Sequence, residues 1–251
     1  MRELIKGGKT VTTVKERPIL FSGDMVRAIL EGKKTLTRRV NGLEKINERP
    51  DGWHFIAVFQ DGYARFSNKQ TGQGVTLKCP YGGYGDRLWV QEAFQTFHKD
   101  TDEEALNKFI VGLNIKSVKD LIEWGKMSSG HGELGVLYAA DFGAWAYDTD
   151  SDLSPWRLSI CMPRKWSRIL LEITNIRIQR LQGITDEEAM AEGCPSERAL
   201  DTDGKTILYS GLKPTYWFSE LWNSIYAKRG HGWDKNDWVW VIEFKRVEAK
   251  Q

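Results

Sequence analysis

The sequence predicts an α+β protein built on a small mixed β-barrel with peripheral helices. Many short β-branched or alternating segments are separated by glycine-rich turns, and 24 residues are glycine. Only a few stretches have apolar residues at helical spacing. With 251 residues, of which 41% are hydrophobic, the chain is long enough to bury one substantial core. Many short strands with a few helices favour a small barrel that carries added elements.

The first helix is predicted at residues 22–32. Ser22 offers an N-cap oxygen, apolar residues follow at helical spacing, and Gly32 ends the run. The β-branched and basic residues 35–40 then predict a short strand. Because positions 34 and 37 of an unbroken strand would face opposite sides, we expect Lys34 to lie in the turn before that strand.

The middle of the chain is divided into short elements by its glycine-rich turns. Strands are predicted at residues 53–59, 63–66, 75–77, 88–90 and 135–140, and amphipathic helices at residues 102–110 and 117–124.

The second half has clearer local signals. Residues 168–178 alternate β-branched and polar side chains, which predicts a long strand. Thr185 and Glu188 have the spacing of a capping box, which predicts a short helix that Gly193 ends. The final run, residues 238–247, has the alternation of a strand with two different faces.

A further helix is predicted at residues 214–226. Its apolar spacing places Trp217, Leu221 and Ile225 on one face of the helix.

Composition excludes several classes of protein. The 36 basic and 34 acidic residues leave a formal net charge of +2, which excludes a histone-like polycation. No apolar run approaches ~18 residues, and residues 1–15 lack the hydrophobic block of a signal peptide, so a cytoplasmic protein without a membrane partner is expected. The three cysteines and four histidines are widely spaced, which predicts neither a disulfide framework nor a metal site. No cofactor is expected.

The corner between the first helix and the next strand is the first candidate site. Its guanidinium and ammonium groups could hold phosphates at one rim of the barrel. A hydroxyl close to a lysine is also a candidate nucleophile. The polar residues of this basic corner are Lys33, Lys34, Thr35, Thr37, Arg38 and Arg39.

Four segments together resemble the ASCH-domain family, a PUA-like β-barrel superfamily of RNA-associated proteins, and in particular its long prophage-type members. The resemblance implies one PUA-like domain, preceded by a flexible N-terminus and interrupted by two insertions. The four segments are residues 32–39, 85–92, 162–168 and 185–194. The implied domain is residues 15–251 after a flexible 1–14, with insertions at about 41–78 and 94–135.

Some small ASCH proteins hydrolyse N4-acetylcytidine, and that branch uses a Lys-x-x-Thr motif with a glutamate from a later helix. Lys34 and Thr37 match the motif, and Glu192 aligns with the glutamate. A threonine hydroxyl is inert towards an amide without a base. A lysine that is partly desolvated and crowded by other cations can have a depressed pKa and serve as that base. We expect the three side chains to converge, and their replacement by alanine to abolish turnover with a nearly unchanged melting temperature.

The remaining candidate residues suggest ligand binding. Two alternative functions remain open: a non-catalytic module that binds RNA or a modified base in DNA, and a metal-independent ribonuclease. Glu92 could face the cavity or pair with Arg38 or Arg39. Trp89 is expected in the core, and Trp166 is either a stacking surface or part of the core. The residues predicted to bind a nucleoside or nucleic acid are Lys33, Arg38, Arg39, Trp89, Glu92, Arg164, Trp166 and Arg168.

Overall fold

The computed structural model describes residues 5–6, 9–10, 13–98, 123–126, 133–141, 156–195 and 213–247. The helices are α1 (Gly23–Leu30), α2 (Glu44–Asn47), α3 (Asp186–Ala191) and α4 (Pro214–Tyr226). The strands are β1 (Ile5–Lys6), β2 (Lys9–Thr10), β3 (Glu16–Leu20), β4 (Leu36–Arg39), β5 (Trp53–Val58), β6 (Tyr63–Asn68), β7 (Gly74–Lys78), β8 (Arg87–Gln91), β9 (Phe94–His98), β10 (Glu123–Lys126), β11 (Glu133–Tyr138), β12 (Leu170–Arg180) and β13 (Trp238–Val247).

A five-stranded mixed sheet forms the centre of the fold. Its order is β3-β8-β12-β13-β4, in which β3 and β8 are parallel and the other pairs are antiparallel. Two three-stranded sheets, β5-β6-β7 and β10-β11-β9, and the short pair β1-β2 complete the strands of the described residues. The predicted α+β class is confirmed.

The backbone pairing leaves the central sheet open, which differs from the closed barrel that the sequence predicts. Its edge strands, β3 and β4, share no ladder of hydrogen bonds in the described part of the chain. A side chain links these edges instead, because Arg39 Nη2 donates a hydrogen bond of 2.7 Å to the Leu20 carbonyl. The sheet therefore curls far enough for one guanidinium to span its edges.

The last strand, β13, separates two cores. Trp240, Ile242 and Phe244 belong to a first core cluster, which also contains residues of α1 and of the β5-β6-β7 sheet. Val239 and Val241 alternate with them and belong to a second core cluster, which α3 and α4 cover. Alternation along a strand sends successive side chains to opposite faces, so the predicted two-faced strand is confirmed.

The predicted insertion at 41–78 is part of the packing in the structure. It contains α2 and the β5-β6-β7 sheet, and Ala64 and Phe66 are fully buried in the first core cluster. Gly62 turns β5 into β6 with a φ of +85°, and a Cβ at this position would lie 2.1 Å from the Gly82 carbonyl oxygen. Only glycine fits this turn.

Several predicted elements fall on residues outside the described ranges. These are the helix at 102–110, most of the helix at 117–124 and most of the N-terminal stretch 1–14. Where the second of these helices meets the described residues, Glu123 and Trp124 belong to strand β10, so that end of the prediction is wrong. The strand predicted at 135–140 is Glu133–Tyr138, followed by a 3₁₀ turn at Ala139–Asp141.

Helix α4 has the predicted bounds, and the three residues that the spacing places on one face differ in burial. Trp217 is buried and Leu221 packs against the second core cluster, whereas Ile225 is 43% exposed. Trp222, which the spacing argument left out, is 2% exposed, and its indole N–H donates to the His231 carbonyl. Helical spacing shows which residues lie on the same side of a helix, but the burial of each residue depends on which other elements pack against that turn.

We expect Trp222→Ala to lower the free energy of unfolding by about 3–5 kcal/mol, because it leaves a cavity in the second core cluster. Ile225→Ala, on the same helix, should change it by less than about 0.5 kcal/mol. Urea unfolding of both variants measures this difference. Equal losses in the two variants would contradict the packing of α4 described here.

Candidate functional site

The basic corner is built by the turn between α1 and β4. The backbone N–H groups of Lys33 and Lys34 both donate to the Ala28 carbonyl at the end of α1, at 2.8 and 3.0 Å. Strand β4 begins at Leu36, so Lys34 lies in the turn, as predicted. The Thr35 N–H donates to the Ala191 carbonyl at 2.9 Å, which joins this corner to the end of α3.

Helix α3 carries Glu192 to the corner. The capping box is present, since the Thr185 side chain accepts from the Glu188 N–H and the Glu188 side chain accepts from the Thr185 N–H. Glu192 is the C-cap residue, and Gly193 follows with a φ of +98°. A Cβ on Gly193 would lie 3.1 Å from the Ala28 Cβ, so glycine permits the close approach of α3 to α1.

Lys34 and Glu192 form a buried ion pair between residues 158 positions apart. Lys34 Nζ lies 2.6 Å from Glu192 Oε2 and 2.7 Å from the Glu192 carbonyl oxygen. The two side chains are 2% and 4% exposed. Arg38 Nη1 donates to the other carboxylate oxygen, Oε1, at 3.3 Å. Both oxygens of the Glu192 carboxylate are therefore paired with cations.

Burial lowers the pKa of the Lys34 ammonium from its ordinary value. The carboxylate of Glu192 opposes this effect, and the nearby charges of Arg39 and Arg38 add to it. The sequence suggests that desolvation and crowding cations can depress the pKa of this lysine, and the shift in the structure has the same direction. Desolvation is the largest of these causes.

The hydrogen bonds of Lys34 also fit the neutral amine. A neutral lysine has two N–H donors and one lone pair, whereas an ammonium has three donors. Among the described residues, the Lys34 nitrogen has two hydrogen-bond acceptors, both of them on Glu192. A neutral Lys34 would thus have both donors satisfied and its lone pair free to accept a proton.

Thr37 lies on β4 opposite Ile242 of β13 and is 4% exposed. Residues paired in this way share a face, so Thr37 lies on the face of the first core cluster and Arg38 on the opposite face. The Lys34 nitrogen lies 5.5 Å from the ring centre of Phe21, which belongs to the same cluster. Lys34 therefore contacts a residue of the cluster on the Thr37 side, while its partner Glu192 also pairs with Arg38, which points to the other side. No hydrogen bond joins the side chains of Lys34 and Thr37 among the described residues.

A chain of ion pairs extends from Glu192 across the opposite face of the sheet. Arg38 Nη2 lies 2.5 Å from Glu188 Oε2, and the other oxygen of Glu188 pairs with Arg177 on β12. Arg177 Nε lies 3.2 Å from Glu243 Oε1. Burial acts to raise the pKa of Glu188, but its hydrogen bonds and the charges of Arg38 and Arg177 outweigh burial and lower it.

The sequence does not predict this network, although part of its signal is present. The capping-box spacing identifies Glu188 only as a capping residue, and the strand pattern identifies Arg177 only as a polar position in an alternating strand. Val241 on β13 is paired in register with Arg177 on one neighbouring strand, β12, and with Arg38 on the other, β4. Both arginine side chains therefore leave the same face of the sheet. The network contains three cations, Lys34, Arg38 and Arg177, and three carboxylates, Glu188, Glu192 and Glu243.

Most of the other predicted binding cations are also paired with carboxylates. Lys33 pairs with Glu31 at 2.8 Å, with both side chains largely exposed. Arg164 Nε lies 2.7 Å from Glu16. Arg39 contrasts with them: in the described part of the chain it has no carboxylate within ion-pair distance.

Arg168 and Glu92 pair with each other. Arg168 donates to both oxygens of Glu92, at 3.0 and 2.9 Å, and to both oxygens of Asp141, at 2.8 Å each. Its guanidinium also lies 4.0 Å from the ring centre of Tyr138. The predicted alternative in which Glu92 pairs with Arg38 or Arg39 is corrected: among the described ion pairs its partner is Arg168, because the two residues meet where β8 ends and β12 begins.

The two predicted tryptophans lie in different environments. Trp89 is half-buried on β8, paired with Pro18 and Leu170 on its two neighbouring strands. Trp166 is half-buried, and its ring centre lies 5.3 Å from that of Phe94 in a small third cluster. The Lys165 nitrogen lies 5.2 Å from the centre of the Trp166 ring. Contacts of this kind fill part of the space that a stacked base would need.

Among the described residues, no three histidine, cysteine, aspartate or glutamate side chains come together in a way that could hold a metal ion. None of the helices in those residues is both long enough and apolar enough to cross a membrane. Comparison of the chain with protein-family models, with curated proteins and with solved structures finds no match in any of the three.

Proposed function

We propose that this chain is an amidohydrolase that removes the acyl group from N4-acetylcytidine or a related N-acylated nucleobase. Lys34 serves as the base, Thr37 as the nucleophile, and Glu192 as the residue that positions Lys34. The observation that carries the proposal is the buried pair of Lys34 and Glu192, with 2.6 Å between nitrogen and oxygen and a lowered lysine pKa.

Stability alone gives little reason for this pair. Removing an ammonium and a carboxylate from water usually costs as much free energy as their mutual attraction returns. A buried lysine with a lowered pKa is a common arrangement for general-base chemistry. The pair is therefore better explained by function than by folding.

The proposed reaction passes through an acyl-threonine. Neutral Lys34 takes the proton of the Thr37 hydroxyl, and Oγ1 forms a bond to the acyl carbon of the amide. The bond between that carbon and the exocyclic nitrogen then breaks, and Lys34 returns the proton to the departing amine. A water molecule attacks the ester, again losing a proton to Lys34, and a carboxylic acid leaves with Thr37 restored.

The PUA-like architecture is part of the same proposal. The four family segments occur in their expected order, and two of them contain strands of the central sheet, β4 and β8. The hydrogen bond from Arg39 to the Leu20 carbonyl brings the edges of this sheet together, which supports a curled, barrel-like relation between them. The ligand would approach from the side of the first core cluster, where Thr37 lies.

The alternative of a nucleic-acid-binding module has weaker support. Phosphate binding requires cations that are free to meet an anion. Three of the predicted ligands of phosphate, Arg38, Arg164 and Arg168, have carboxylate partners instead. A ribonuclease would use the same lysine and hydroxyl on a phosphate ester. Activity on RNA or on an acylated nucleoside distinguishes it from the amidohydrolase.

The decisive experiment is incubation of the purified protein with N4-acetylcytidine, other N-acylated nucleosides and a single-stranded RNA, with products identified by mass. We expect loss of the acyl group and release of the free carboxylic acid. The rate should rise with pH as Lys34 loses its proton, with an apparent pKa below 10.5, because burial favours the neutral amine. RNA cleavage without deacylation would contradict the amidohydrolase and favour the ribonuclease.

A further inference from the structure

Two buried N–H donors without partners lie next to the candidate site. Five buried side-chain polar atoms among the described residues have no hydrogen-bond partner, and two of them are Arg39 Nε and Trp240 Nε1. An unpaired buried donor costs about 1–3 kcal/mol, and most buried donors in folded proteins are paired. Two such donors on paired residues are therefore candidates to bind an acceptor atom of a ligand.

The two donors belong to neighbouring residues. Arg39 on β4 and Trp240 on β13 are directly opposite each other in the register of the two strands, so their side chains leave the sheet on the same face. Thr37 lies two residues before Arg39 and shares this face. Trp240 is fully buried, which fixes the position of its indole N–H.

Arg39 also approaches Lys34. Its guanidinium carbon lies 5.1 Å from the centre of the Phe21 ring, and the Lys34 nitrogen lies 5.5 Å from the centre of the same ring. Tyr81 and Tyr226 lie close enough to Arg39 to interact with its charge. Arg39 and Lys34 thus both contact Phe21, which belongs to the first core cluster, as Trp240 does.

The charge of Arg39 is not balanced by the ion-pair network. The three cations of that network, Lys34, Arg38 and Arg177, are matched by three carboxylates. Arg39 is a permanent cation outside this balance, and among the described residues its side-chain hydrogen bonds are with the Leu20 carbonyl and with Tyr226, neither of which is a carboxylate. An anionic oxygen would satisfy both the charge and the free N–H groups.

We propose that Arg39 and Trp240 bind an oxyanion, a phosphate or a carboxylate group, of a small ligand. This inference rests on the proposed function only for the placement of the group beside Lys34 and Thr37. A carboxylate would correspond to the acid released from the amide, and a phosphate to a nucleotide form of the substrate. A planar carboxylate and a tetrahedral phosphate each have several acceptor oxygens. The guanidinium of Arg39 and the indole N–H of Trp240 can therefore donate to the same group.

The test is a calorimetric titration of the protein with inorganic phosphate, with acetate and with cytidine 5′-monophosphate. We expect saturable binding of at least one anion, and a tenfold or greater loss of affinity in Arg39→Gln. Trp240→Phe, which keeps an aromatic ring but removes the N–H, should weaken the same anion. Arg49→Gln removes one exposed guanidinium and is the matched control for net charge. Binding of phosphate would indicate a nucleotide phosphate as the source of the oxyanion, and binding of acetate would indicate the carboxylate of the released acid.

Absence of saturable binding by phosphate, acetate and the nucleotide would overturn the inference, and so would equal losses in Arg39→Gln and Arg49→Gln. If Trp240→Phe fails to fold, the Arg39→Gln comparison decides alone. Repeating the titration with Thr37→Val separates this site from the hydrolase. If the protein binds an anion but has no deacylase activity, the anion site is supported and the amidohydrolase is not. If the protein deacylates its substrate but binds no anion, the anion site is overturned.

Discussion

Lys34→Met and Thr37→Val are each expected to lower kcat/KM for the acylated nucleoside by about 10³-fold or more. The first removes the base, and the second removes the hydroxyl while it keeps the shape of the side chain. The double variant should be scarcely worse than either single variant, because residues that act as a unit have non-additive effects. Steady-state kinetics on the purified variants measures this.

Two controls make this prediction specific. Lys45→Met removes an exposed lysine on α2 and should leave kcat/KM unchanged. Thr37→Ser keeps the hydroxyl and should retain a measurable part of the activity. Wild-type rates in Thr37→Val would show that the nucleophile is another group. In Glu192→Gln the residual rate should rise with pH at lower values than in the wild type, since the Glu192 charge raises the pKa of Lys34.

Glu192→Ala is expected to lower the free energy of unfolding by about 3–5 kcal/mol, in addition to its effect on turnover. The substitution leaves Lys34 and Arg38 buried without the carboxylate that lies between them, and an uncompensated buried charge is strongly destabilising. Denaturant unfolding at neutral pH measures the loss. This expectation replaces the sequence-based one of a nearly unchanged melting temperature, because the Lys34–Glu192 pair is almost fully buried and Arg38 shares the same carboxylate.

The matched control is Glu31→Ala, which breaks an ion pair with Lys33 on the surface. Exposed pairs of this kind contribute about 0–1 kcal/mol, so its unfolding curve should nearly overlay that of the wild type. Glu192→Gln, which keeps the size and the hydrogen-bonding oxygen, should be less destabilised than Glu192→Ala. Equal stability of Glu192→Ala and the wild type would mean that solvent reaches the pair.

The candidate triad could be named from the sequence only because a family resemblance linked its distant parts. Local chemistry explained why a lysine and a threonine at a basic corner suit amide hydrolysis. It did not predict that Arg38 pairs with Glu188, or that Arg39 has no carboxylate within ion-pair distance in the described part of the chain. It also left the partner of Glu92 open between a cavity and two arginines, whereas the structure pairs it with Arg168.

What the sequence determined by itself are features that depend on near neighbours. The capping box of Thr185, the bounds of α4, the two faces of β13 and the turn position of Lys34 all follow from side chains within a few residues. Only the tertiary structure decided which charges meet, because Lys34 and Glu192 are 158 residues apart and are brought together by the packing of α3 against α1. Burial, which also depends on how distant elements pack, then lowers the pKa of Lys34 from its ordinary value.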